Sequence, residues 1–173
     1  MHDGWWTHLE LAKWQTCYQR HPACRPSIDR LILQHRGFTW TVLPGVLSAR
    51  QQELFAFESR FTQLIVALGV VALNCVEHLL LNDRRLALMP YLGERDCDQL
   101  LALHRDWSKS EKVLPAKNLA DAALQAGTRW WLRDIGHCEV SDLLTMRLPP
   151  LADVPISFPD NAVNWLIKAG RFL

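Results

Sequence analysis

The strongest constraint on this chain is one apolar run, Leu64 to Val76, thirteen residues long and stopped by Glu77-His78. A bilayer span takes about 20 apolar residues, whereas a run of roughly 10–14 is the length of a buried core helix. The run therefore predicts the inside of a folded domain and no membrane span. Leu54, Phe57, Phe61, Leu64, Ile65, Leu68, Cys75, Val76 and Leu79 follow the helical period, and Val66, Val70 and Leu73 make the opposite face apolar as well. A helix apolar all round must be covered on every side, so this one is expected at the centre. Ser48-Ala-Arg-Gln51 is a capping-box pattern that opens the long helical region, and Gly69 within it allows a close helix crossing or marks a bend.

The rest of the chain also reads as helix. A first helix from Asp3 or Gly4 carries Trp5, Leu9, Leu11, Trp14 and Tyr18 and ends at His21-Pro22 and Arg25-Pro26. Ser27 is placed to cap a short helix with Ile28, Leu31 and Ile32 inward, stopped by Gly37. Residues 38–44 alternate and are rich in β-branched side chains, an extended pattern without an obvious partner strand. Further helices are expected from an Asn82 cap over Asp83 to Met89, over Gly93 to Trp107, from an Asn118 cap to Ala126 with Gly127 as the left-handed stop, from Thr128 to Ile135, over Glu139 to Leu148, and over Asn161 to Ala169. Ser108 to Lys112 reads as a polar loop. With 173 residues there is material for one core and not for two. The expectation is an all-α fold, a compact multi-helix bundle around one central apolar helix. Residues 1–148 form the helical domain, and residues 149–173, with four of the nine prolines, form a tail docked on it.

Several kinds of chemistry find no support. Nineteen Lys+Arg against eighteen Asp+Glu leave a net charge of +1, without the basic surplus that phosphate neutralisation needs, so no nucleic-acid partner is expected. There is no G-x-S-x-G elbow, Walker loop or dinucleotide-binding glycine fingerprint. Cys97 lies between Asp96 and Asp98, which disfavour its thiolate, and His137-Cys138 are helix neighbours that diverge. Cys17, His21 and Cys24 make a C-x3-H-x2-C cluster, one ligand short of a structural zinc site, with His8 or His35 as the fourth only if folding supplies it. Surface histidine and packing cysteine is the plainer account. Cys75 and His78 share a helix face but lack a second pair of ligands. No enzyme, cofactor or metal is expected. The five cysteines, and a start without a basic or small-residue leader pattern, suggest reduced thiols in the cytoplasm.

That leaves interaction surfaces. Trp (8) outnumbers Phe (6), and Arg outnumbers Lys 14 to 5, a skew toward residues that carry binding energy at interfaces. Part of it gathers at Arg129, Trp130, Trp131 and Arg133. Adjacent helix positions diverge, so one indole is expected at the surface as a partner contact unless the C-terminal tail covers it. Leu79-Leu80-Leu81, before Asn82-Asp83-Arg84-Arg85, reads as core running out into a solvated turn.

Phe61 to Trp107, FTQLIVALGVVALNCVEHLLLNDRRLALMPYLGERDCDQLLALHRDW, joins a long apolar helix, a short basic helix and the amphipathic YLGERDCDQLLAL segment. This succession resembles the sorting-platform accessory proteins of bacterial type III secretion systems (the K component, SctK, or HrpD in plant-pathogen clusters). The resemblance rests on apolar patterns over these 47 residues and includes none of the first 60. It implies a cytoplasmic, non-enzymatic helical adaptor, peripheral at the inner membrane through protein contacts. Such an adaptor bridges the cytoplasmic domain of the inner-membrane ring to the platform pods. Two other classes stand beside it: a small helical metal- or thiol-dependent enzyme, and a helical regulator binding nucleic acid or a small ligand.

Overall fold

The computed structural model describes residues 1–38, 45–108, 113–136, 138–151 and 161–173. Among these the regular structure is helical: α1 (Gly4–His8), α2 (Ala12–Arg20), α3 (Arg25–His35), α4 (Ala49–Ala56), α5 (Phe61–Leu73), α6 (Glu77–Leu80), α7 (Asn82–Leu88), α8 (Glu94–Leu103), α9 (Ala116–Asp134), α10 (Glu139–Thr145) and α11 (Ala162–Phe172). Two 3-10 turns, Pro22–Cys24 and Glu58–Arg60, join α2 to α3 and α4 to α5. The all-α expectation holds. The extended pattern of 38–44 falls, apart from Phe38, outside the described residues, as do most of the 108–112 loop, His137 and residues 152–160 of the tail.

The apolar run becomes α5, and every residue from Leu64 to Val71 is buried. Its principal partner is α9, in the most extensive helix–helix contact among the described residues. Gly69 and Gly127 make that contact possible. A Cβ on Gly69 would collide with the Ala123 carbonyl and the Gly127 amide, and one on Gly127 with the Ile65 carbonyl. Two backbones therefore meet where only glycine leaves room. This corrects the expected stop at Gly127, and with it the break between two helices there. Gly127 is helical, because its missing side chain serves a crossing and not a turn. The Asn118 cap is likewise replaced, since α9 begins three residues earlier than expected, after Pro115.

The capping box at Ser48 forms as expected, with Ser48 N–H donating to Gln51 Oε1 at 2.9 Å and Gln51 N–H to Ser48 Oγ at 3.3 Å. The long helical region is nevertheless bent by 46° between Ala49–Ala56 and Glu58–Leu73. The bend lets both segments bury their faces, Leu54 and Phe57 before it and Phe61 after it. No single helix among the described residues is long and apolar enough to cross a membrane. Asn74, in the left-handed region at φ 43°, closes α5. The last helix, α11, packs on α5, α8 and α9 and buries Trp165 and Leu166. Its cap is Asn161 Oδ1, which accepts from the Val163 and Asn164 amides at 3.1 Å.

The N-terminal helices form a second, smaller cluster of Trp5, Trp6, Leu9, Leu11, Ile28, Ile32 and Met146. The single helix expected here is broken. Glu10 turns left-handed at φ 59°, and Leu11 N–H donates back to the Trp6 carbonyl at 2.8 Å. On one helix Leu9 and Leu11 would point about 200° apart; the break buries both. Ser27 is not a cap, because α3 starts at Arg25 with Pro26 in its first turn, where proline lacks only an amide that needs no partner. The cluster is tied to the end of α10 by His2 N–H to the Met146 carbonyl and by Trp5 Nε1 to the Leu148 carbonyl, each at 2.8 Å. The Arg36 guanidinium lies 4.2 Å from the Trp5 ring centre.

Candidate interaction surface

Arg129, Trp130, Trp131 and Arg133 sit on the last turns of α9, where α5, α10 and α11 surround the helix on more than one side. Both indoles are buried. Trp131 Nε1 donates to Thr145 Oγ1 at 3.0 Å, and its ring meets Phe61 edge-on at 5.1 Å. Trp130 Nε1 donates to Asp134 Oδ2 at 3.1 Å, and the same oxygen accepts the Ala162 amide at 2.8 Å, tying α9 to the start of α11. Hydrogen bonding from Arg133, followed by the Ala162 amide and the Trp130 indole, holds the Asp134 carboxyl below its ordinary value despite the opposing effect of burial. Arg133 stays exposed, and Arg129 buries its Nε without a hydrogen-bond partner among the described residues. At this segment the solvent meets arginine, not tryptophan.

Cys17, His21 and Cys24 separate into a pair and a bystander. The nearby Cys24 thiol, with burial, raises the Cys17 thiol above its ordinary value; both cysteines are half-exposed and pack against the N-terminal cluster, while His21 is exposed. Among the described residues no three metal-ligating side chains converge. Cys75 and His78 are used locally. The Cys75 thiol is 3.2 Å from Glu77 Oε2, and His78 Nε2 accepts the Leu114 amide at 3.1 Å. Burial, then the nearby Arg84 charge, pushes the His78 imidazole below its ordinary value. An imidazole that accepts from an amide must be neutral at that nitrogen, so geometry and environment agree.

The surface that residue patterns did not reveal lies on α6 and α7. Leu79 is buried, but Leu80 is 60% exposed, and Leu81, Leu86 (61%) and Met89 are exposed with it. The expectation that Leu79 to Leu81 are core running outward holds only for Leu79. The two arginines explain the orientation. Arg84 Nε donates to the Leu114 carbonyl at 2.7 Å, and Arg85 Nη2 donates to Asp98 Oδ1 at 2.8 Å and to the Glu94 carbonyl at 3.0 Å. Their side chains are only 19% and 24% exposed. With Leu88 they form the inward stripe of α7, leaving Asn82, Leu86 and Met89, spaced i, i+4, i+7, on the solvent face. With its charged side chains turned inward, α7 leaves apolar side chains in solvent. The helical spacing within α7 carried this signal once any one inward residue was known.

A second apolar surface is a cleft of about 590 Å³ between the N-terminal cluster and the α4–α10 side of the main core. Its lining includes Tyr18, Ile32, Phe55, Leu143, Met146 and Arg147. Phe55 is exposed at its edge, and Arg147 pairs with Glu58 across it. The cleft shares no residue with the α6–α7 patch.

Comparison with known proteins adds one finding. A family model described as a type III secretion system subunit matches residues 1–150. No curated protein and no solved structure matches the chain.

Proposed function

The chain belongs to the type III secretion system subunit family, and from that premise we propose that it is a non-catalytic adaptor of the sorting platform, of the SctK or HrpD kind. In this reading it bridges the cytoplasmic domain of the inner-membrane ring and the platform pods, working in the cytoplasm and reaching the inner membrane only through protein contacts. The observation that carries the proposal is the outward-facing apolar patch of Leu80, Leu81, Leu86 and Met89, latched in place by two inward arginines. A chain that only had to fold would gain by burying such a patch, at about 25 cal/mol for each Å² of apolar surface removed from water. The cleft beside Phe55 supplies a second surface, as a bridging protein requires.

The test is a photo-crosslinkable residue at Leu86 in the native host. The expected product is a crosslink to an inner-membrane-ring or platform component, lost when Met89 is changed to Asp. Crosslinks to neither class of component would sink the adaptor reading.

A further inference from the structure

We propose that Cys17 and Cys24 are a disulfide-forming pair, a reversible modification site on the N-terminal unit whose reaction partner is a small anionic disulfide of the glutathione class. The fold brings the two together. The 3-10 turn Pro22–Cys24 reverses the chain after α2, with His21 N–H donating to the Cys17 carbonyl and Cys24 N–H to the His21 carbonyl, both at 2.9 Å. Cys24 thereby returns beside the last turns of α2, where both cysteines pack against the same N-terminal cluster. Both are half-exposed, whereas Cys75 and Cys97 are buried, and the half-exposed Cys138 instead caps α10 by accepting the Ser141 amide at 3.5 Å. Around the pair the chain is basic apart from Asp29, which meets Tyr18. From Leu11 to Ile28 there is no Asp or Glu, while Lys13, Arg20 and Arg25 are present.

The chemistry is two successive exchanges. The Cys24 thiolate attacks one sulfur of the small disulfide, forming a mixed disulfide and releasing one glutathione thiolate. The Cys17 thiol then loses its proton to solvent and attacks Cys24 Sγ, forming the Cys17–Cys24 bond and releasing the second glutathione thiolate. Two protein thiols are oxidised and one small disulfide is reduced to two thiols. The product staples the end of α2 to the start of α3, inside the smaller cluster.

The full-length native chain is incubated with glutathione disulfide, and its free thiols are alkylated after quenching and denaturation. Trypsin cuts after Arg20 and so separates the two cysteines unless they are bonded. The expected result is a linked peptide pair containing Cys17 and Cys24, with Cys75, Cys97 and Cys138 alkylated, and the link reversed by dithiothreitol. In C17S, Cys24 is expected to stop at the glutathione adduct. Held near each other by the fold, the pair is expected to close at least about tenfold faster in the native chain than in urea. Equal rates overturn the proposal, as does a wild-type chain in which Cys24 halts at the adduct, stays fully alkylatable, or pairs with Cys138 or with a second chain.

Discussion

Two short segments with similar ingredients face opposite ways. In α9, Arg129-Trp130-Trp131-Leu132-Arg133 puts both aromatic rings inside, with Arg133 exposed. In α6–α7, Leu79 to Met89 puts Arg84 and Arg85 inward and three of its leucines outward. The difference does not lie in composition, since each segment is a run of large apolar residues with a pair of arginines. It lies in what surrounds each helix. The end of α9 enters a space lined by α5, α10 and α11, so both indoles, about 100° apart, find cover. α7 packs on α6 and α9 with Leu86 and Met89 left in solvent, and its inward arginines meet the Leu114 carbonyl, the Glu94 carbonyl and the Asp98 carboxylate. Those acceptors select arginine, and the leucines take what is left.

The comparison breaks most sharply at Trp131. Trp131→Ala is expected to cost about 3–5 kcal/mol, the range for truncating a buried aromatic side chain, in denaturant unfolding followed by CD. A cost below about 1 kcal/mol would mean that α9 is not enclosed as described. Gly127→Ala comes next, at up to about 3 kcal/mol, the upper part of the overpacking range, because the obstacle is the Ile65 carbonyl and not a yielding side chain. Alanine is ordinarily the better helix former by about 1 kcal/mol, so a stabilised variant would disprove the close crossing.

On the α7 side the pH dependence is the sharper probe. The His78 imidazole sits below the ordinary value of 6.5 in the folded chain, so the unfolded chain takes up the proton first. Stability from this group is complete above pH 6.5 and declines as pH falls from there toward the depressed folded value. Urea midpoints measured downward from neutral pH should fall, and His78→Gln, which keeps an acceptor for the Leu114 amide, should flatten that slope. An unchanged slope would mean that the fold does not hold His78 neutral. The smallest effect on folding is expected at Leu86. Leu86→Asp should leave stability within about 0.5 kcal/mol of the parent, as for an ordinary surface site. The same change should abolish capture of the partner by a photo-crosslinkable residue placed at Leu80 instead. A large loss of stability would show that the leucine is covered within the chain itself.

Much of the fold is legible in the order of the residues alone. The length of the Leu64–Val76 run places the central helix, Ser48 and Gln51 announce its approach, and the apolar spacing of Cys97 and Leu100 orients α8. Wherever glycine and proline read as punctuation, the outcome depends on packing. Gly37 does end a helix, with φ at +73°, whereas Gly127 sits inside one because another backbone passes over it. Nothing local separates the two uses. Of the candidate site, Cys17 and Cys24 are visible as a spacing, but their proximity depends on the Pro22 turn. The α6–α7 patch is not visible, because exposure is a property of neighbours distant in sequence.

By itself, then, the amino-acid sequence determined an all-helical chain with a helix too short to span a bilayer and too apolar to be exposed. Those are consequences of periodicity and run length, which are local. Which tryptophans lie inside, which leucines remain outside and which glycine bears a crossing were decided only by tertiary structure. Burial is settled by whatever packs across from a residue, and the partners of α7 and α9 come from segments as far as 30 residues away or more.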